Sequence, residues 1–147
     1  MLKKLKVLGA AAAIVLAPIA AAAATVTGTI NISGDIDLPG STFSAVGTAD
    51  LADAGQVVSS TGDFALHAVV SDVVTLTDIS FAAPGAVWAV GGFTFTASAF
   101  TDFIDTAAFK YVKALGSITG NGFDATDGVM FLSAQGDVTS ASFSATT

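Results

Sequence analysis

The sequence lacks cysteine, arginine and glutamate, and it holds a single histidine, His67. Without cysteine the chain forms no disulfide, so burial of apolar side chains must stabilise it alone. The absence of cysteine excludes thiol catalysis, and cysteine and histidine are too few to ligate zinc. A hydrolase triad is disfavoured because His67 is the only histidine that could act as its base. His67 has the parity of a solvent-facing strand residue. We therefore expect no catalytic residues, no resident cofactor and no enzyme activity.

Positive charge is concentrated at the start of the chain, which reads MLKKLKVLGAAAAIVLAPIAAAAA. Lysines followed by an uncharged apolar run and small residues predict a secretory signal peptide, here a helix over residues 1–24. An uncleaved membrane anchor is the alternative, because Leu5 to Ala24 is about long enough to span a bilayer. Pro18 and the small-residue ending favour cleavage after Ala22, Ala23 or Ala24. Residues 25–147 then form one domain.

The predicted mature chain is strongly acidic, because Lys110 and Lys113 alone oppose twelve Asp, which leaves a net charge of −10. Such a surface repels phosphate backbones and anionic lipid. We expect a secreted protein, extracellular or at the cell surface, that binds no nucleic acid and no membrane once the signal is removed.

Thr, Ser, Val, Gly, Ala and Phe dominate the mature chain, and these residues suit pleated strands better than helix surfaces. Apolar residues alternate with polar ones between Pro- and Gly-containing turns, which predicts strands with one buried face. We predict an all-β fold, an antiparallel β-sandwich of jelly-roll type with about nine short strands. The first inward row is Val26, Ile30, Ile32, Ile36 and Leu38, and the rows that follow it include Phe64, Leu66, Ala68 and Val70.

The segment from Phe100 to Leu115 fits two patterns equally well. Its apolar residues recur at spacings of three and four, which indicates a helix that ends at Gly116. A strand is the alternative, with Val112, Ala114 and Ile118 on one face and residues 101–106 as a loop.

Carboxylates are the most numerous ionisable groups, with twelve Asp in the chain. Two pairs, Asp35 with Asp37 and Asp102 with Asp105, have the residue types of an acid and a base. Every one of these residues lies near a predicted strand end, where Asp commonly caps its own backbone. We expect them to be turn residues.

Calcium is the one metal for which the sequence offers ligands, at Asn121, Asp124 and Asp127. Their spacing of three differs from the alternate positions and terminal Glu of the helix-flanked calcium loop. Loose Asp loops still hold extracellular calcium weakly. The favoured alternative is a Gly-Asn-Gly turn whose side chains bond local backbone groups.

Trp88 and Tyr111 are the only residues of their kinds and are the candidate ligand contacts. Aromatic rings on an exposed sheet face can stack on sugars, whereas a lone Trp within VWAV is more often part of a core. An exposed aromatic cluster would favour carbohydrate binding, and burial of both residues would count against it.

Three stretches resemble secreted Gram-negative proteins of the PEP-CTERM, exosortase-sorted type: VTGTINISGDIDL, VTLTDISFAAPGAVWAVGGFTFT and GSITGNGFDATDGVMFLSAQG. The resemblance implies a strand over residues 109–119 that leads to the Gly-Asn-Gly turn, and a hairpin connection around Asp124 and Asp127. It implies a role tied to exopolysaccharide, biofilm or floc formation, and it brings no catalytic residues. Met130 stands where an aromatic is usual. The chain stops at Thr147 without the usual anchor, so we expect either a truncated sequence or a protein released without one.

The leading functional hypothesis is an extracellular structural or matrix protein, which associates with itself or with extracellular polysaccharide. Self-assembly would use the uncharged terminal strands, residues 25–33 and 139–147, as donors to a neighbouring sheet. The alternative is a carbohydrate- or calcium-binding adhesion module.

Overall fold

A computed structural model of the protein describes residues 23–135 and 140–147. These residues form nine β-strands and one short 3-10 helix, and the all-β prediction is confirmed. The predicted signal-peptide helix falls almost entirely on residues outside the described part of the chain. The strands are β1 Thr29–Asp37, β2 Thr48–Ser60, β3 Val73–Leu76, β4 Ile79–Ser80, β5 Ala86–Val90, β6 Phe93–Asp105, β7 Phe109–Gly120, β8 Phe123–Gln135 and β9 Ser140–Thr146.

The strands form one closed antiparallel barrel rather than the clear jelly-roll sandwich that we predicted. Their order is β1-β9-β8-β7-β6-β5-β3-β2, and β1 pairs with β2 to close the ring of eight. The short strand β4 adds to one end of β2. Alternation says which residues face inward but not whether the inward faces belong to two sheets or to one closed sheet. Pairing between strands far apart in the chain decides this, and closure removes the free edges of a sandwich.

Three long strands, β6, β7 and β8, lie side by side and form one wall of the barrel. The contested segment is therefore strand, broken only between β6 and β7, and β6 reaches Asp105 through the residues expected to be a loop. Two neighbouring turns at one end of the wall need residues with positive φ, which glycine and asparagine adopt most readily. Gly91 and Gly92 join β5 to β6, and Asn121 and Gly122 join β7 to β8.

Apolar side chains fill the interior. The even-numbered residues of β1 point inward as predicted, and Ile30 is fully buried. Large side chains from the strands and from the segments between them pack around them, as expected for an eight-stranded barrel with room only for side chains. The largest of these are Trp88, Phe43, Phe64, Phe93, Phe95 and Phe143.

The predicted strand over residues 64–70 was wrong. The chain forms a 3-10 helix, Gly62–Leu66, which buries Phe64 and Ala68 and leaves Leu66 75% exposed. Gly62 has φ +59°, a value that starts a turn rather than a strand. Burial therefore follows a spacing of four instead of two.

The described chain packs against the barrel from its first residues. Ala24 accepts a hydrogen bond from the Asp124 N–H at 3.0 Å. The N–H of Val26, which is buried, donates to Thr126 Oγ1 at 2.9 Å. Within residues 23–135 and 140–147, no helix has the length and apolar character needed to cross a membrane.

Candidate functional site

Trp88 lies inside the barrel and is 1% exposed. Its indole stacks on Phe95 with ring centroids 5.9 Å apart, and Phe64 meets it edge-on at 6.4 Å. The indole Nε1 has no hydrogen-bond partner among the described residues. This position removes Trp88 from the outer surface, where a ligand would have to approach.

Tyr111 lies on the outer face of β7 between two further aromatic rings. Its ring centroid is 6.3 Å from that of Phe109 at an interplanar angle of 19°, and 6.1 Å from that of Phe131 at 20°. We call these three residues the aromatic ladder. Phe109 is 39% exposed, and the other two are half-buried. The ladder therefore presents one exposed ring and the uncovered parts of two further, near-parallel rings to solvent.

The barrel wall fixes the direction of these rings. Val112, Ala114 and Leu132 are fully buried, so their odd-numbered neighbours on β7 and β8 must point outward. Phe131 lies opposite Lys113, and Tyr111 is two residues from Lys113 on the same face. Diagonal aromatic pairs of this kind also stabilise a sheet, by about 0.2–1 kcal/mol each. Sheet stability alone does not require three rings in solvent.

The surroundings of the ladder combine apolar and polar groups. Ile104 lies opposite Tyr111 and is 42% exposed, and Leu115 is 40% exposed farther along β7. Lys113 approaches Asp102 at 4.0 Å, which is the limit for an ion pair. Exposed apolar side chains that cluster in this way usually mark a binding surface, whereas single ones do not.

Two of the three ladder residues, Phe109 and Phe131, were missed in the sequence. A signal was present: the strand interpretation that places Val112 and Ala114 inward also places Phe109 and Tyr111 outward. An aromatic residue on the polar face of a strand is unusual enough to be a candidate contact. Phe131 could be joined to them only through the register of β7 and β8.

The structure separates the calcium candidates. Asn121 occupies the hairpin turn at φ +51°, and its Nδ2 donates to the Gly91 carbonyl of the neighbouring hairpin at 2.8 Å. Asp124 and Asp127 lie on strand β8 instead of in the turn, so the expected hairpin connection around them was wrong. Within the described part of the chain, no three acidic or histidine side chains are grouped closely enough to hold a metal ion.

The two candidate acid–base pairs lie on strands β6 and β1. Asp102 is exposed and has φ +57°, whereas Asp105 binds the Lys110 ammonium and accepts the Phe43 N–H at 2.9 Å. The hydrogen bond from Lys110 holds the pKa of Asp105 below its ordinary value. Asp35 and Asp37 lie on β1, two residues apart and both exposed.

His67 is exposed, as expected, but follows the 3-10 helix rather than lying on a strand. Its ring meets Phe93 edge-on at 5.6 Å.

Comparison of the chain with protein-family models, with curated proteins and with solved structures finds no match.

Proposed function

We propose that the chain is a secreted, matrix-associated protein that binds extracellular polysaccharide through the aromatic ladder. The observation that carries the proposal is the set of three near-parallel rings on the outer face of β7 and β8. The apolar faces of sugar rings stack on aromatic side chains, and polar groups around them bond the hydroxyls. An exposed aromatic cluster is the feature that favours carbohydrate binding over a purely structural role.

Charge supports a glycan over other large partners. Twelve Asp against two Lys in the predicted mature chain repel nucleic acid and anionic lipid. The same charge opposes contact between two copies of this chain through the ladder. A neutral polysaccharide meets no such repulsion, and a cationic one meets the positive charge of Lys113, which Asp102 offsets from 4.0 Å.

Self-assembly through the terminal strands has less support from the pairing. Strand β1 pairs with β9 on one side and with β2 on the other, and β9 pairs with β8 and β1. Neither strand presents a free edge to a neighbour, so strand exchange would first require the barrel to open. The resemblance to exosortase-sorted proteins agrees with a role beside polysaccharide, and it remains a prediction.

Affinity electrophoresis in gels that contain soluble polysaccharide tests the proposal. The panel is hydroxyethyl cellulose, glycol chitosan and alginate, which are neutral, cationic and anionic. We expect at least one to retard the mature protein, and we expect Tyr111→Ala and Phe131→Ala to weaken that binding by about tenfold, or about 1.4 kcal/mol.

Val58→Ala is the matched control, because Val58 is 54% exposed on β2, away from the ladder. It should leave the retardation unchanged. The proposal is wrong if none of the three polymers retards the protein, or if the ladder variants and the control bind equally.

A further inference from the structure

A row of small polar side chains leads away from the aromatic ladder across the strands. Tyr111 lies directly opposite Ser133, Ser133 opposite Ser142, and Ser142 opposite Ser33. These four residues belong to β7, β8, β9 and β1, which are neighbours in the barrel. With about 4.8 Å between strands, the row extends about 14 Å from the tyrosine.

Two depressions in the outer surface follow this row. One, of about 290 Å³, is lined by Phe109 of the ladder together with Ser133, Gln135, Ser140 and Ser142. The other, of about 360 Å³, is lined by Ser33, Asp35 and Gln56 and again by Ser140. Because they share Ser140, the two depressions adjoin. We call the line through Ser133, Ser140, Ser142 and Ser33 the serine track.

The serine track has the chemistry that sugar hydroxyls need. Each serine hydroxyl both donates and accepts hydrogen bonds, and the amide of Gln135 does the same. Because serine side chains are small, the track forms a shallow groove between the aromatic ladder at one end and Asp35 and Gln56 at the other. The track therefore joins an aromatic platform for a sugar ring to a series of hydrogen-bonding groups.

The far end of the track is acidic. Asp35 lies opposite Ser140 and is exposed. Neither depression is lined by lysine: Lys110 binds Asp105, and Lys113 faces Asp102. A carboxylate in a surface that is negative overall favours a cationic group and disfavours a uronic acid.

We propose that the ladder and the serine track together bind a short segment of an amine-bearing glycan, with one sugar ring on the ladder and a protonated amine beside Asp35. The inference rests on the proposed function and specifies its ligand class. Tyr111 supplies stacking for any glycan, whereas Asp35 supplies selectivity for the charged amine.

Titration calorimetry with two hexasaccharides tests this, at a pH at which free sugar amines are protonated. One is the glucosamine hexamer, and the other is its fully N-acetylated and therefore neutral counterpart. We expect the wild-type protein to bind the glucosamine hexamer more tightly. Asp35→Asn should weaken that binding by about threefold or more and leave the neutral hexamer unaffected.

Asp127→Asn is the matched control. Asp127 lies on the outer face of β8, six residues from Ser133 and so about 20 Å along the strand. The Asp127→Asn substitution changes the net charge by the same amount as Asp35→Asn and should leave the affinity for both hexamers unchanged. Tyr111→Ala should weaken the binding of both hexamers by the same factor.

The inference is overturned if the two hexamers bind equally, or if Asp35→Asn and Asp127→Asn have the same effect. The proposed function survives either result, provided that Tyr111→Ala still weakens binding. If Tyr111→Ala leaves the binding of every glycan unchanged, both the further inference and the proposed function are wrong.

Discussion

The two halves of the barrel are built differently. Strands β6 to β9 pair with their neighbours over many residues, and β7 and β8 stay in register from Phe109 to Ile118. On the other side, β3 and β5 share two paired positions and β4 has two residues. The long half carries the aromatic ladder. A rigid wall of this kind holds side chains in fixed relative positions, which a binding surface requires.

The difference also explains where alternation succeeds. On β7 and β8, which stay in register over most of their length, every second residue points inward, so parity predicts burial. Two register shifts interrupt the pairing of β6 with β7, and alternation on β6 ends near Ala97. Around the 3-10 helix the parity is lost, and Leu66 and Val70, both expected inside, are exposed. Local backbone geometry takes over wherever a strand is too short to impose its own period.

The largest effect that separates the halves should come from two leucines. Leu132→Ala in β8 empties a fully buried position and should cost about 2–5 kcal/mol. Leu66→Ala removes an exposed side chain and should change the stability by less than about 0.5 kcal/mol. Urea denaturation of both variants measures this. Equal losses would mean that Leu66 packs inward, as alternation predicts.

A glycine in each half gives an intermediate effect. A Cβ at Gly116 in β7 would lie 2.2 Å from the Thr96 carbonyl oxygen, and backbone cannot give way easily. Gly116→Ala should therefore cost about 1–3 kcal/mol.

Gly85→Ala is the control for that substitution, because a Cβ at Gly85 meets nothing within 4 Å. It should raise the free energy of unfolding by about 0.4–1 kcal/mol, since alanine restricts the unfolded chain. Thermal melts compare the two. If Gly116→Ala leaves the melting temperature unchanged, the backbones of β6 and β7 are farther apart at this position than the structure indicates.

The smallest effect concerns the contact that joins the halves. Asp105, at the end of β6, binds Lys110 and accepts the Phe43 N–H from the loop before β2. Its pKa is lowered in the folded state, so the unfolded state takes up protons first. The stabilisation is therefore complete above the ordinary pKa of 3.8 and is lost as the pH falls through the lowered value.

Asp105→Asn should cost about 1 kcal/mol or less near neutral pH, because the pair is partly exposed. The difference from wild type should shrink as the pH falls below about 4. Denaturation at a series of pH values measures it. A constant difference across the series would show that the loss does not come from the charged pair with Lys110.

The sequence by itself determined the all-β class, the excess of acidic residues and the inward row of β1. These depend on composition and on the period of two, which each strand carries within itself. The residues by themselves left the segment from Phe100 to Leu115 open between helix and strand, and the resemblance favoured the strand over residues 109–119 that the structure shows.

Only the tertiary structure decided that the sheet closes, since closure depends on β1 pairing with β2 and β9, and β9 begins more than a hundred residues later in the chain. The same holds for the candidate site. Phe131 joins Phe109 and Tyr111 through strand register, and Ser33 joins Ser142 through the closing strands. Side chains that are distant in sequence become one surface only when backbone hydrogen bonds fix which residues lie opposite each other.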